Sequence, residues 1–252
     1  MRKAMISAAA AVLMGFAGPA LAAGGVEIPK REWSFQGIFG TYDRAAMQRG
    51  LQIYKEVCAG CHSLNQIYFG NLTDLGYAEA QVKAFAAEYE VQDGPNDEGE
   101  MYTRPALPSD RFVKPFPNDN AARAGNNGAL PPDLSLMVEA RIGGPNYLYA
   151  LLTGYGEPPA GQDLMEGMSY NNYFPGHQIA MPNMLFDGSV VYTDGTEATV
   201  EQIAWDVTNF LAWASEPNLE ARLETGRGVI LYLLIFAGLL YAVKRKIWAK
   251  VH

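Results

Sequence analysis

The chain has 252 residues, 49% of them hydrophobic and 18% charged, which supplies one domain-sized core with material left over for further segments. Its net charge of -8 makes a surface that repels nucleic acid, so nucleic-acid binding is excluded as a function. Two cysteines cannot build a disulfide scaffold.

In chain order, residues 1–23, "MRKAMISAAAAVLMGFAGPALAA", place Arg2 and Lys3 before an apolar run and end on the small-residue pattern Ala20-Leu21-Ala22. This is the form of a cleaved secretory signal, with the mature chain starting near Ala23 or Gly24. Gly15 and Gly18-Pro19 interrupt the run and disfavour a retained anchor. Residues 41–57 space Met47, Leu51, Tyr54 and Cys58 as one helical face, with Thr41 or Asp43 as cap, and a second helix fits within residues 78–90. Residues 91–133 are rich in Pro, Gly, Asn and Asp and show no sustained period, a length of loop that in a compact domain is often functional.

Short helices are expected over residues 134–142 and 146–153, each ended by glycine, then loop from Pro158 to Pro182. Residues 189–199 predict a small hairpin turning at Asp194-Gly195. Thr199 to Gln202 resembles a capping box, opening a helix whose apolar residues Ile203, Val207, Phe210, Leu211 and Ala214 share one face. Pro217 breaks it.

The run "VILYLLIFAGLLYAV", Val229 to Val243, is followed by Lys244, Arg245, Lys246, Trp248 and Lys250. With Arg227 snorkelling and Trp248 in the interfacial belt it reaches spanning length. The basic cluster keeps the C-terminus cytoplasmic and puts everything before Arg227 across the membrane. The expected organisation is a signal peptide at 1–23, an exported domain at 24–224, an anchor at 225–247 and a cytoplasmic tail at 248–252. The leader, anchor and tail hold seven of the basic residues and no acidic ones, so the exported part stands at -15. Such a surface attracts basic proteins.

Both cysteines lie in "VCAGCH", Val57 to His62. In an exported chain such a pair oxidises or is put to other use. A thioredoxin-like dithiol expects a βαβ context that the pattern lacks, and zinc needs further ligands where the other histidines are only His177 and His252. C-x-x-C-H is the attachment signature of c-type haem: Cys58 and Cys61 bond the two vinyl groups and His62 comes under the iron. Spacing leaves the sixth ligand open among Met101, Met137, Met165, Met168, Met181, Met184 and His177; Met168, Met181 and Met184 stand out, in an irregular stretch where no helical face explains them, stiffened by Pro175 and Pro182.

Taken together, "VCAGCHSLNQ", "EVQDGPNDEGEMYTRP", "AARAGNNGALPPDLS", "LLTGYGEPP", "MSYNNYFPGHQIAMP" and the anchor with "VKRKIW" resemble the cytochrome c1 family, over nearly all of the mature chain. The resemblance implies a mainly α, cytochrome-c-like haem domain with long loop insertions and a small β-hairpin, plus one C-terminal transmembrane helix. It implies one covalent haem c per chain, with His62 and Met181 as axial ligands, Met181 lying in "IAMP". It puts Arg123 on a haem propionate and packs Leu130, Pro131 and Pro132 near the haem. A surface salt bridge is the ordinary alternative for Arg123.

It further implies a subunit of the quinol–cytochrome c reductase (bc1) complex, passing electrons from the Rieske iron-sulfur protein to a c-type cytochrome beside cytochrome b, on the periplasmic side of a bacterial inner membrane. Some bacterial relatives carry an extra disulfide, for which this chain has no cysteines, so its folding rests on haem and core. A haem sensor that releases Met181, or an anchored oxidase cytochrome, is a rival that co-purification would discriminate.

Overall fold

A computed structural model describes residues 26–250; the expected leader and His252 lie outside the described residues. The architecture is mainly α, as expected, and carries two small strand pairs where one hairpin is expected. Helix α1 (Arg44–Ile53) begins where the Asp43 carboxylate accepts from the Ala46 N–H at 3.0 Å, satisfying an amide that the first turn leaves free. It packs on α5 (Val200–Ser215), capped by the Thr199 hydroxyl accepting from the Gln202 N–H at 3.2 Å. The capping box is only half made. The Gln202 amide turns to Asp206 Oδ2 at 3.0 Å instead.

The expected apolar face of α5 is buried, and so are Asp206, Thr208, Asn209 and Trp213, because the chain encloses the helix on nearly every side. Gly50 sets the α1–α5 approach: a Cβ there would lie 2.3 Å from the Asp206 carbonyl oxygen and 2.5 Å from the Phe210 Cβ. Asp206, 0% exposed, is held by Arg49 through Nε at 2.8 Å and Nη2 at 2.9 Å. Tyr54, Phe69, Phe112, Phe210 and Trp213 extend the same core, with the Phe69 and Phe112 rings stacked at 4.6 Å.

After Ile53 the helix widens into one π turn, Tyr54–Cys58, closed by the Ala59 N–H on the Tyr54 carbonyl at 2.7 Å. A 3₁₀ helix, Phe69–Leu75, precedes α2 (Glu79–Ala86), which stops four residues short of the expected end as Glu90 enters a strand. The loop expected over 91–133 is more ordered than its composition implies. Strand β1 (Glu90–Asp93) pairs antiparallel with β2 (Tyr102–Pro105), and α3 (Asp119–Gly125) follows behind an Asn118 cap. Neither strand has a fully buried residue, β1 alternating only between exposed and half-buried, and the Arg104 guanidinium fixes the hairpin by pairing with both Asp93 and Asp110.

Two expectations fail. Residues 134–142 form turns rather than a helix, because their first residues are tied to the segment after His62: Leu134 N–H donates to Ser63 O at 2.9 Å and the Ser135 hydroxyl accepts from Gln66 N–H at 2.9 Å. Residues 189–199 form no hairpin. Val190 and Tyr192 turn into the core, the Gln52 amide takes the Val191 carbonyl at 3.0 Å, and Asp194 binds Arg49 at 2.9 Å, leaving no strand partner to pair.

Helix α4 (Pro145–Thr153) forms as expected. The loop from Pro158 to Pro182 contains a two-residue pair, β3 (Ser169–Tyr170) with β4 (Gln178–Ile179). After the break at Pro217, α6 (Leu219–Trp248) runs 30 residues and is long and apolar enough to cross a membrane. Its base is clasped to the domain. Arg44 grips Glu220 through two contacts of 2.6 Å, the Tyr42 N–H donates to Glu220 Oε1 at 2.7 Å, and Arg227 Nη1 donates to the Ile38 carbonyl at 2.7 Å.

Candidate functional site

The π turn delivers Cys58 to a bend in which the His62 N–H and the Cys61 N–H both donate to the Cys58 carbonyl, at 2.9 and 3.1 Å. Two thiols and one imidazole therefore share a single tight turn, and such widened turns recur at functional sites. His62 Nδ1 lies 2.8 Å from the Pro132 carbonyl oxygen. A carbonyl only accepts, so Nδ1 carries the proton and Nε2 keeps its lone pair for a ligand.

Asp133 holds that carbonyl in place. Its carboxylate accepts from the Ser63 hydroxyl at 2.8 Å, the Asn65 N–H at 2.8 Å and the Ser135 N–H at 2.9 Å, sewing residues 132–135 to residues 62–66. Burial works to raise the Asp133 pKa, yet the bonds from Ser135, Asn65 and Ser63 outweigh it and hold the carboxyl below its usual range. Burial lowers the His62 pKa against the opposing pull of the Pro132 carbonyl and Asp133, so the ring is held in the neutral form that a metal requires.

Burial pushes the Cys58 thiol up to about 12, with Cys61 adding to it. A redox dithiol needs a thiolate near neutral pH, and this one stays protonated. Among the described residues no group of three or more His, Cys, Asp or Glu side chains is placed to hold a metal ion, so the zinc alternative has no ligand set either. The turn thus offers two thiols, the buried one of Cys58 held protonated, beside an imidazole with one free nitrogen. That donor set fits covalent haem attachment.

The other residues singled out stand apart from this turn. Met181 is half-buried in a small apolar cluster with Tyr147, Leu151, Ile179, Tyr155 and Phe174, and its carbonyl accepts from the Tyr155 hydroxyl at 3.0 Å. Met168 is half-buried outside that cluster and Met184 is 48% exposed, so packing distinguishes Met181 among the three. His177 Nδ1 sits 3.2 Å from the Asn171 carbonyl, with its ring stacked on Tyr170. Arg123 is exposed at the end of α3, donates to the Gly128 carbonyl at 3.2 Å, and forms no ion pair among the described residues. The surface-salt-bridge alternative for it therefore lacks a partner there.

Neither Met181 nor Arg123 makes a hydrogen bond to the Cys58–His62 turn. Pro131 is half-buried beside it, and the atom in contact with His62 belongs to the next residue, Pro132. The Pro132 carbonyl on His62 and the brace of Asp133, Ser63 and Asn65 are contacts that residue types alone do not reveal. The Pro-Pro-Asp string in "ALPPDLS" is their one trace in the sequence.

The sequence model described as the Cytochrome C1 family matches residues 33–251. The chain belongs to the cytochrome c1 family. It is 53% identical to "Cytochrome c1-2, heme protein, mitochondrial" of Solanum tuberosum, over 86% of this chain and 85% of that one. It is 43% identical to "Cytochrome c1" of Rhodospirillum rubrum, over 99% and 97% of the two chains. It is also 50% identical to "Cytochrome b/c1" of Bradyrhizobium diazoefficiens over 89% of this chain, spanning 36% of that longer protein.

Proposed function

We propose that this chain carries one covalent haem c and serves as the electron-relay subunit of a quinol–cytochrome c reductase (bc1) complex, between a Rieske iron-sulfur protein and a c-type cytochrome, beside cytochrome b. The observation that carries the reading is the C-x-x-C-H turn with His62 Nδ1 fixed on Pro132 at 2.8 Å. When bound, the haem supplies a one-electron iron couple. Cys58 and Cys61 would hold it by two thioethers, and His62 Nε2 and the Met181 sulfur would ligate its iron.

The chain's part is to hold still. Pro132 and Asp133 keep the imidazole from rotating, and the Nδ1 proton stays where it is. Arg123, with no carboxylate of its own, is the cation for a propionate. Exported residues 24–224 would stand on the periplasmic side of a bacterial inner membrane, with 225–247 as anchor and 248–252 as cytoplasmic tail. The acceptor would meet an acidic surface. Glu88 is paired with Lys55 and Asp93 with Arg104, so Glu90, Asp97, Glu98 and Glu100 are the carboxylates of the hairpin region left to steer a basic partner.

Purification from membranes tests the reading: covalent haem together with cytochrome b and a Rieske protein is expected, and a haem-free or solitary chain would refute it. Met181→Leu should keep the haem attached, abolish the sulfur-to-iron charge-transfer band and lower the potential. Loss of that band in Met168→Leu or Met184→Leu instead would move the ligand. Arg123→Ala should lower the potential or haem retention, and an unchanged redox titration would detach Arg123 from the site.

A further inference from the structure

The loop from Trp33 to Tyr42 takes no part in the haem site, yet it is closely built. Trp33, Phe35 and Tyr42 are buried at its ends. Across it the Gln36 N–H donates to Trp33 O at 3.1 Å, the Gly40 N–H to Gly37 O at 3.2 Å, and the Thr41 N–H to Ser34 O at 3.0 Å. Gly37 takes a left-handed φ of +81°, and a Cβ on Gly40 would lie 2.1 Å from the Phe35 carbonyl oxygen. The glycines thus fold the segment into a closed finger. At its tip Ile38 and Phe39 are 64% and 74% exposed. Two large apolar side chains are held out by a rigid turn.

The height of that tip is fixed by α6. Arg227 donates to the Ile38 carbonyl at 2.7 Å, and its guanidinium carbon lies 5.4 Å from the centre of the Phe39 ring. The apolar run opens two residues later at Val229, about 3 Å further along the axis at 1.5 Å per residue. From Val229 to Trp248 the helix covers about 28 Å, close to the ~30 Å of a bilayer's hydrocarbon core. If Trp248 stands at one interface, the other falls at Arg227 to Val229. The finger tip is at that level.

We propose that Ile38 and Phe39 insert into the outer headgroup–acyl boundary of the bilayer, giving the exported domain a second contact with lipid beside α6. The proposal rests on α6 being the membrane anchor. An aromatic ring and an aliphatic side chain suit that zone, where amphipathic contact is favoured, and Arg227 places a cation at the same depth for lipid phosphate. The ion-paired Arg44 and Glu220 lie seven residues, about 10 Å, further from the membrane, in water where their charges belong. Lipid is the occupant that continuity with α6 supports. Another protein chain is the alternative that the test separates.

Photocrosslinking in native membranes, with the full chain in its assembled complex, decides it. The photoreactive analogue p-benzoylphenylalanine is placed at Phe39, at Leu233 on α6 and at Val191. Val191 is exposed and bonded to Gln52, which lies eight residues, about 12 Å, along α1 from Arg44. Each variant is first checked for parental haem content. After irradiation, mass spectrometry should find phospholipid adducts at positions 39 and 233 and none at 191. Lipid at 233 with only protein adducts, or none, at 39 would overturn the finger and leave the anchor standing. No lipid at 233 would remove the anchor and the finger with it. Equal lipid labelling at all three would mean that a broad face lies on the membrane, which also overturns the finger as the specific contact.

Discussion

The α1–α5 crossing and the strap from Tyr155 to Met181 are both ordered, by different means. At the crossing, Gly50 admits the α5 backbone, Met47, Ile53, Phe210 and Trp213 are fully buried, and the one buried charge is answered by Arg49. The strap has a small apolar cluster and is held by Asn171. That side chain, fully buried, donates to the Leu151 carbonyl at 2.8 Å and accepts from the Tyr173 and Phe174 N–H groups at 2.9 and 3.2 Å. Packing sets the first region and a handful of directional bonds sets the second. The crossing should therefore fail globally when disturbed, and the strap locally.

The largest effect expected is from Arg49→Ala. It takes the cation away from the fully buried Asp206 and leaves it only the Gln202 amide, which costs about 3–5 kcal/mol in chemical denaturation of the detergent-solubilised protein. A loss below about 1 kcal/mol would mean that Asp206 finds another partner or a proton, and that the charge does not anchor the crossing. Gly50→Ala comes next. The new methyl meets α5 backbone, which cannot swing aside as a flexible side chain would, so a loss of about 1–3 kcal/mol is expected in the same transition. An unchanged midpoint would show that the two helices slide freely.

Asn171→Ala should remove about 1–3 kcal/mol from the strap alone. Limited proteolysis between Tyr155 and Met181 should speed up while the global unfolding midpoint moves little. If the midpoint falls as far as in Gly50→Ala, the two regions are one cooperative unit and the contrast dissolves. Tyr155→Phe removes a single bond to the Met181 carbonyl and should cost about 1 kcal/mol, visible as a weakened charge-transfer band. An unaltered band would separate the Tyr155 bond from the setting of Met181.

The smallest effect concerns acid. The hydrogen bond from Arg44 holds Glu220 below its ordinary carboxyl range, against burial. Its contribution is thus complete above about pH 4.3, the unperturbed glutamate value, and is lost as pH falls through the lower folded value. Glu220→Gln should lower stability slightly at neutral pH and flatten the acid limb in that window, so that the two proteins converge as the pH falls. An identical limb would assign the acid response to other carboxylates.

The same contrast explains what the sequence reveals. The stripes on α1 and α5 are legible because packed helices must repeat apolar residues at helical spacing, and C-x-x-C-H is legible because attachment chemistry fixes both residue types and their order. Asp43 and Thr199 announce their helices by capping. By contrast, the hairpin at Glu90 to Pro105 is written in charge pairing through Arg104, and the turns at 134–142 in bonds to Ser63 and Gln66 some seventy residues away. The expected hairpin at 189–199 has the right local letters, and side chains from α1 claim its backbone and its turn. The brace on His62 is hidden for a related reason: its acceptor is a main-chain oxygen, which every residue has.

The junction at the base of α6 has one more consequence. The helix runs unbroken from Leu219 to Trp248, and both Glu220 and Arg227 are fastened to the domain, so there is no swivel between shaft and head. Once α6 is set in a bilayer, a thinner membrane that makes the shaft lean must lean the head by the same angle. Lipid thickness then becomes an aiming device for the face that bears Cys58 and Cys61, acting with no ligand and no change in the fold.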